Sequence, residues 1–170
     1  KIFNYYTTVD VTLVKINTFM EYIKIVVESG DDKEKISHFG VYGIILNPKD
    51  NTVLLIKKAR GPYTGMLDLP GGSPEFNETL EETLCREVSE ETGLQVQQCK
   101  QLQSILNIGK YKELLLRHIG IIYFVNATGR LKKTTDFQDS NDCKWVNIQE
   151  ISKLNCTPFA KKIEAILGLQ

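Results

Sequence analysis

No charge of either sign predominates in this chain: 21 Lys and Arg face 21 Asp and Glu across 170 residues. A general nucleic-acid or anionic-membrane binder carries a basic excess, so the balance points away from both partners. Long hydrophobic runs are missing as well. No apolar stretch approaches the roughly 18–20 residues of a membrane-spanning helix, and the N-terminus lacks the apolar core of a signal peptide. The four cysteines, Cys85, Cys99, Cys143 and Cys156, have neither CxxC nor zinc-ligand spacing. They read as reduced thiols, which makes the cytoplasm the expected location. Histidine is scarce, with two residues, and no proline falls between Pro74 and Pro158. Repeats and low-complexity tracts are absent. What remains is ordinary for a globular chain: 42% apolar and 25% charged residues, enough for the core of one domain.

One stretch is not ordinary. Residues 72–94 read GSPEFNETLEETLCREVSEETGL. Thr79 followed by Glu82 is a capping box, which predicts a helix beginning at Leu80, and Gly93 is a stop that ends it near Thr92. Leu80, Leu84 and Val88 form the buried stripe at i, i+4, i+8. Glu87 and Glu91 fall beside that stripe, with Glu90 next to them. Three carboxylates thus share the last two turns, at the negative end of the helix dipole, each at a cost of about 0.3–1 kcal/mol even when exposed. Desolvation against the apolar stripe raises that cost. Arg86, one turn from Glu90, is expected to offset one charge and not three. Two readings stand at this point: a bound divalent cation, since clustered carboxylates are hard oxygen ligands of the kind Mg²⁺ takes, or a solvated acidic face with no ligand.

Taken in order, the rest of the chain alternates strands and turns. Val9, Val11 and Leu13 alternate with polar residues, and residues 21–27 (EYIKIVV) predict a strand directly after Met20. We expect the folded protein to be able to start at Met20, with residues 1–19 an upstream extension. Residues 39–46 and 52–58 are apolar runs around a turn-forming spacer and predict a hairpin. His38 opens the first of them as a surface or strand-end residue. Residues 59–65 are a loop leading to 66–70 and the Gly71-Gly72 pair, which is either a tight turn or a close backbone approach to a phosphate or metal. Residues 95–100 and 104–108 read as strand and turn, and 114–125 as a central strand broken near Gly120. Residues 126–142 are polar and irregular, 144–146 a short strand, and 148–154 a short helix. Thr157 caps a last helix with Pro158 at its first position and Gly168 as its stop. The expected class is α/β, a mixed sheet packed between helices.

The spacing carries more than the charges do. Gly72, Glu78, Arg86-Glu87-Val88, Glu90-Glu91 and Gly93-Leu94 match every fixed position of the Nudix box. At ordinary residue usage such a match arises by chance at on the order of 10⁻⁹ per start point. The chain therefore resembles the Nudix hydrolases. The resemblance implies a Nudix-type α/β/α sandwich with a central mixed sheet over residues 37–170, with residues 1–36 an N-terminal extension and first strand or strands. It implies a metal-dependent pyrophosphohydrolase that cleaves a phosphoanhydride in a nucleoside diphosphate linked to another group, with Mg²⁺ (or Mn²⁺) as cofactor.

Carried over by position, Glu87, Glu90 and Glu91 would hold the metal together with the backbone carbonyl of Gly71. Glu87 would double as base for the attacking water, and Arg86 would pair with Glu78 to hold the loop on the helix. The catalytic set is then Arg86, Glu87, Glu90 and Glu91. An extra acid would come from Asp139 or Asp142. Arg60, Tyr63, Lys110, Tyr111, Arg117 and Arg130 are candidates to reach phosphates or stack on a base. The expected partner is a small-molecule nucleotide, most simply a (deoxy)nucleoside triphosphate, with no membrane and no nucleic acid; a homodimer is compatible with the resemblance. A non-catalytic nucleotide sensor, or a hydrolase of dinucleoside polyphosphates or RNA 5′ ends, is the alternative. The proline that accompanies many ADP-ribose pyrophosphatases is absent.

Overall fold

The computed structural model describes residues 35–132 and 140–168, apart from the side chains of residues 140–142. The strand expected at 21–27, the Met20 start and Asp139 lie outside the described residues. Strand β1 (Lys35–Asn47) begins three residues before His38. It pairs in parallel with β6 (Leu114–Thr128), from Lys35 opposite Leu115 to Ile45 opposite Val125. β6 in turn pairs antiparallel with β5 (Gln95–Tyr111). On its other edge β1 meets β2 (Thr52–Lys58) only at the tip, Leu46 opposite Val53 and Asn47 opposite Thr52. The hairpin predicted from the sequence is therefore real but short. Beyond the tip the two strands part, and β4 (Gly71–Gly72) fills the gap against Val41 and Tyr42, helped by the Gly43 N–H donating to the Pro70 carbonyl at 2.9 Å. β2 continues into a second half-sheet with β3 (Leu67–Asp68) and β7 (Ser140–Asn147).

Four expectations are corrected. Residues 95–111 are one strand, not a strand and a turn: β-bulges between Val96 and Gln98 and between Gln101 and Gln103 shift the side-chain alternation and disguise its continuity. β6 runs unbroken through Gly120, because that glycine makes room rather than a bend; a Cβ there would meet the Phe159 ring at 2.5 Å. The last helix is not continuous. Thr157 does accept from the Ala160 N–H, but the segment splits into a 3₁₀ turn (Ala160–Lys162) and a single α turn, α2 (Ile163–Ile166). Its start is tethered elsewhere: Leu67 N–H donates to the Asn155 carbonyl, Thr157 N–H donates to the Leu67 carbonyl, and the Thr157 hydroxyl donates to the Asp68 carboxylate. The short helix expected at 148–154 is likewise a 3₁₀ helix (Ile148–Lys153), capped by Asn147.

The expected sandwich results, with unequal layers. On one face of the sheet, α1 (Leu80–Thr92) buries Leu84 and Val88 against Val41, Tyr123 and Val125. On the other, the C-terminal turns bury Ile148, Ile151, Phe159 and Ile163 against Tyr42, Ile44 and Ile122. None of the described helices is long and apolar enough to cross a membrane.

Candidate active site

Helix α1 starts and stops where its local chemistry dictates. Thr79 and Glu82 form the reciprocal capping box, Glu82 N–H to the Thr79 hydroxyl and Thr79 N–H to Glu82 Oε2 at 2.8 Å. Gly93 closes the helix in the left-handed region at φ 79°. Between these ends the helix lays its acidic side chains against the glycine pair of β4. A Cβ on Gly72 would sit 2.3 Å from Glu87 Oε1, so any other residue there would displace that carboxylate. Gly71 has φ 148° and lies flat against the backbone of Val41 and Tyr42, a position only glycine fills. Its N–H donates to Glu91 Oε2 at 2.9 Å.

Arg86 does more than the sequence suggested. It grips Glu78 with two bonds, Nε to Oε1 at 2.6 Å and Nη2 to Oε2 at 2.9 Å, a fork of the geometry guanidinium prefers. It also reaches Glu87 at 2.9 Å and Glu90 at 3.4 Å through Nη1, and the Ser73 carbonyl through Nη2. Besides its expected partner Glu78, Arg86 thus reaches two of the three box carboxylates, Glu87 and Glu90, where the expectation was that it would offset one. Glu78, further bonded by the Glu75 N–H and the Thr83 hydroxyl, is held down to about 2, chiefly by Arg86. Glu91 lies outside this network. Burial pushes its carboxyl up to about 8, with Glu87 and Asp68 adding to the shift and Lys58 and the Gly71 N–H opposing it.

The donor set suits a hard divalent cation: three carboxylates from consecutive turns, beside a backbone that approaches closely. As they stand, no three such groups among the described residues are gathered tightly enough to hold an ion, because Glu87 and Glu90 lean on Arg86 while Glu91 leans on Gly71. A cation would compete with the guanidinium for Glu87 and Glu90. At Glu91 it would add positive charge beside a carboxyl that burial holds towards its protonated form.

The other candidates separate. Tyr63 stacks on His118, ring centroids 5.6 Å apart, and His118 is bonded to the Tyr42 hydroxyl at 2.8 Å; Tyr42 is the residue paired with Gly71. Tyr63 is therefore linked to Glu91 through His118, Tyr42 and Gly71 in turn. Arg117 gives its hydrogen bonds to Ser37 across β1 and β6, and Tyr111 sits at the β5–β6 turn under Lys112; neither contact leads to the box. Arg60 is exposed on the loop after β2. The side chain of Asp142, like all of Asp139, is outside the described residues.

Sequence reasoning passed over His118, Tyr42 and Asp68. All three are buried. Each is a polar residue set inside an apolar run (LLLRHIGII, VYGII, MLDLP), and that is a legible signal, since a buried polar group needs a partner. His118 is driven down to about 3 by burial, with His38 and Lys58 adding, so it is neutral at pH 7. Asp68 is raised to about 6 by burial, against its bonds from Thr157 and the Leu69 N–H.

Comparison with known proteins gives the same region. The NUDIX domain family profile matches residues 36–165. The ADP-ribose pyrophosphatase of Methanocaldococcus jannaschii is 34% identical over 116 residues, covering 67% of this chain and 64% of its own length; the chain thus spans less than two thirds of that relative. The 8-oxo-dGTP diphosphatase of Proteus vulgaris is 32% identical over 94 residues, covering 55% of this chain and 78% of its own. Among solved structures, the MutT protein from Methanosarcina mazei Go1 superposes with a TM-score of 0.63 at 22% identity, covering 82% of this chain and 97% of that one. The NUDIX domain of Shewanella oneidensis NrtR, crystallised with ADP ribose, superposes with a TM-score of 0.64 at 17% identity over 78% of this chain and 87% of that one. These two likenesses are of fold.

Proposed function

The chain belongs to the Nudix family, and from that premise we propose that it is a divalent-metal-dependent pyrophosphohydrolase acting on a nucleoside diphosphate linked to another group. The observation that carries the proposal is the placement of Glu91: a half-buried carboxyl fixed by the Gly71 N–H, on the same glycine pair against which Glu87 packs. Bound Mg²⁺ or Mn²⁺ would neutralise the phosphates and favour attack by water at phosphorus. Glu87, Glu90, Glu91 and the Gly71 carbonyl are the residues that would hold it. Glu87, packed against the backbone of Gly72, would take the proton from the attacking water. Arg86 acts through the carboxylates it touches, anchoring the 73–78 loop by its fork on Glu78.

For substrate, a (deoxy)nucleoside triphosphate or similar small nucleotide is the first choice. ADP-ribose is the second, favoured by the activity named for the 34% identical archaeal relative. A non-catalytic sensor fits less well, because a sensor has no need of an intact carboxylate set. RNA 5′ ends are disfavoured by the neutral charge balance. Cysteines with neither CxxC nor zinc-ligand spacing suit a reducing cytoplasm. The test is a panel of nucleoside triphosphates, dinucleoside polyphosphates and ADP-ribose with millimolar Mg²⁺, scored for released phosphate, pyrophosphate or nucleoside monophosphate. Metal-dependent turnover of at least one class is expected; binding without turnover across the panel would turn the reading into that of a sensor.

A further inference from the structure

Tyr63 is an aromatic ring on an exposed loop. Its neighbours Arg60, Gly61, Pro62, Thr64 and Gly65 all face solvent, and the ring itself is half-buried. The loop holds itself together, with the Thr64 N–H and hydroxyl both donating to the Gly61 carbonyl and the Met66 N–H to the Tyr63 carbonyl. Gly61 and Gly65 frame it in left-handed conformations, at φ 81° and 82°. Only the tyrosine ring is pressed inward.

What it presses on is rigid. The plane of the ring lies 21° from that of His118 at a centroid separation of 5.6 Å. His118 is 3% exposed and fixed from three sides: by the Tyr42 hydroxyl at 2.8 Å, by the His38 ring edge at 4.6 Å, and by Phe159 at 4.4 Å. Among the described residues the Tyr63 hydroxyl accepts from the Asn107 amide at 3.3 Å, at the long end for a hydrogen bond. The result is a flat aromatic plate, backed by a fixed imidazole, with part of its surface open to water. Tyr42 links it to Gly71, and Gly71 to Glu91.

We propose that Tyr63 is the residue on which the planar base of the nucleotide stacks while its phosphates reach Glu87, Glu90 and Glu91. This rests on the pyrophosphohydrolase reading above and adds a specificity to it. Stacking reads the π-face and not the hydrogen-bonding edge, so it tolerates every base and favours the larger ring. Purine nucleotides are accordingly preferred over pyrimidine ones, without discrimination at this residue between adenine and guanine.

The test compares wild type, Tyr63→Phe, Tyr63→Leu and Tyr63→Ala. It measures KM and kcat for purine and pyrimidine nucleoside triphosphates with Mg²⁺, and affinity for adenosine monophosphate by calorimetry without metal. Tyr63→Phe should keep KM and affinity within about twofold. Tyr63→Ala should lose roughly ten- to a hundredfold in both for purines, the range that removal of a stacking ring produces, with kcat changed far less. Tyr63→Leu keeps apolar bulk over His118 and so preserves the fold should the alanine variant not; it should show the same loss. Wild-type hydrolysis with KM and affinity unchanged in the leucine and alanine variants would overturn the stacking role and leave the enzyme standing. Wild-type binding of adenosine monophosphate that these variants lose, with no hydrolysis of any substrate, would overturn the enzyme and leave the stacking role standing. A wild type that neither binds nor hydrolyses would overturn both.

Discussion

Glu91 carries its charge into a place where solvent helps it little, and the consequence runs with pH. Its folded value of about 8 lies above the ordinary 4.5. The associated stability is therefore complete below pH 4.5 and lost as pH rises through 8. Glu91→Gln should abolish Mg²⁺-dependent turnover by more than about a hundredfold, while melting above wild type at pH 9 and level with it near pH 4.5. Wild-type turnover in that variant would remove Glu91 from the site. His118 behaves in the opposite sense. It resists protonation in the fold down to about 3, against 6.5 in the unfolded chain. Stability is thus full above pH 6.5 and falls as pH drops towards 3, by about 3 kcal/mol at pH 4. Asp68, raised to about 6 from 3.8, works against this decline between those values. His118→Gln keeps a partner for the Tyr42 hydroxyl, and should lose less melting temperature between pH 7 and 4 than wild type does. Parallel pH curves for the two proteins would show that His118 is not the titrating group. Neither the His118 nor the Asp68 shift could be foreseen residue by residue, because each comes chiefly from burial among segments brought from far along the chain.

Elements divide by where their instructions lie. Helix α1 was readable in full from the sequence, since Thr79, Glu82, Leu84, Val88 and Gly93 are neighbours in the chain and fix its start, face and end locally. The Arg86–Glu78 pair, which the family resemblance implied, forms within the same short stretch. β6 was misread at Gly120 because the reason for the glycine is the Phe159 ring, supplied by a segment folded in from the C-terminus. β5 was misread because two bulges break the period that identifies a strand. The C-terminal helix was over-extended because its first residues answer to β3 rather than to each other. Gly120→Ala should accordingly destabilise by about 1–3 kcal/mol through overpacking, seen as a lower denaturant midpoint at unchanged slope. A variant as stable as wild type would mean that Phe159 yields freely.

For the whole molecule, the site occupies the place where β1 and β2 part and β4 enters between them, with a packed layer on each face. A cation bound there favours the native state over the unfolded one. Mg²⁺ or Mn²⁺ at a hundred times its dissociation constant should stabilise by about 2.7 kcal/mol, or roughly 5–10 °C in melting temperature for a chain of this size. The rise should vanish in Glu91→Gln, and a wild-type curve indifferent to both ions would count against any metal at the glutamates. The parting of β1 and β2 was not legible, since two apolar runs around a turn predict a full hairpin and nothing local says that the partnership lasts only two pairs.

The stitching of residues 155–157 along Leu67 and Asp68 also bears on how the molecule can be cut. The segment is there bonded along the same short ribbon that delivers the glycines, so trimming it should be felt at the carboxylates without a single one being touched. A protein ending at Leu154 should be inactive on its own, and a synthetic peptide spanning 155–170, added in trans, should bring back the lost turnover in proportion to its occupancy.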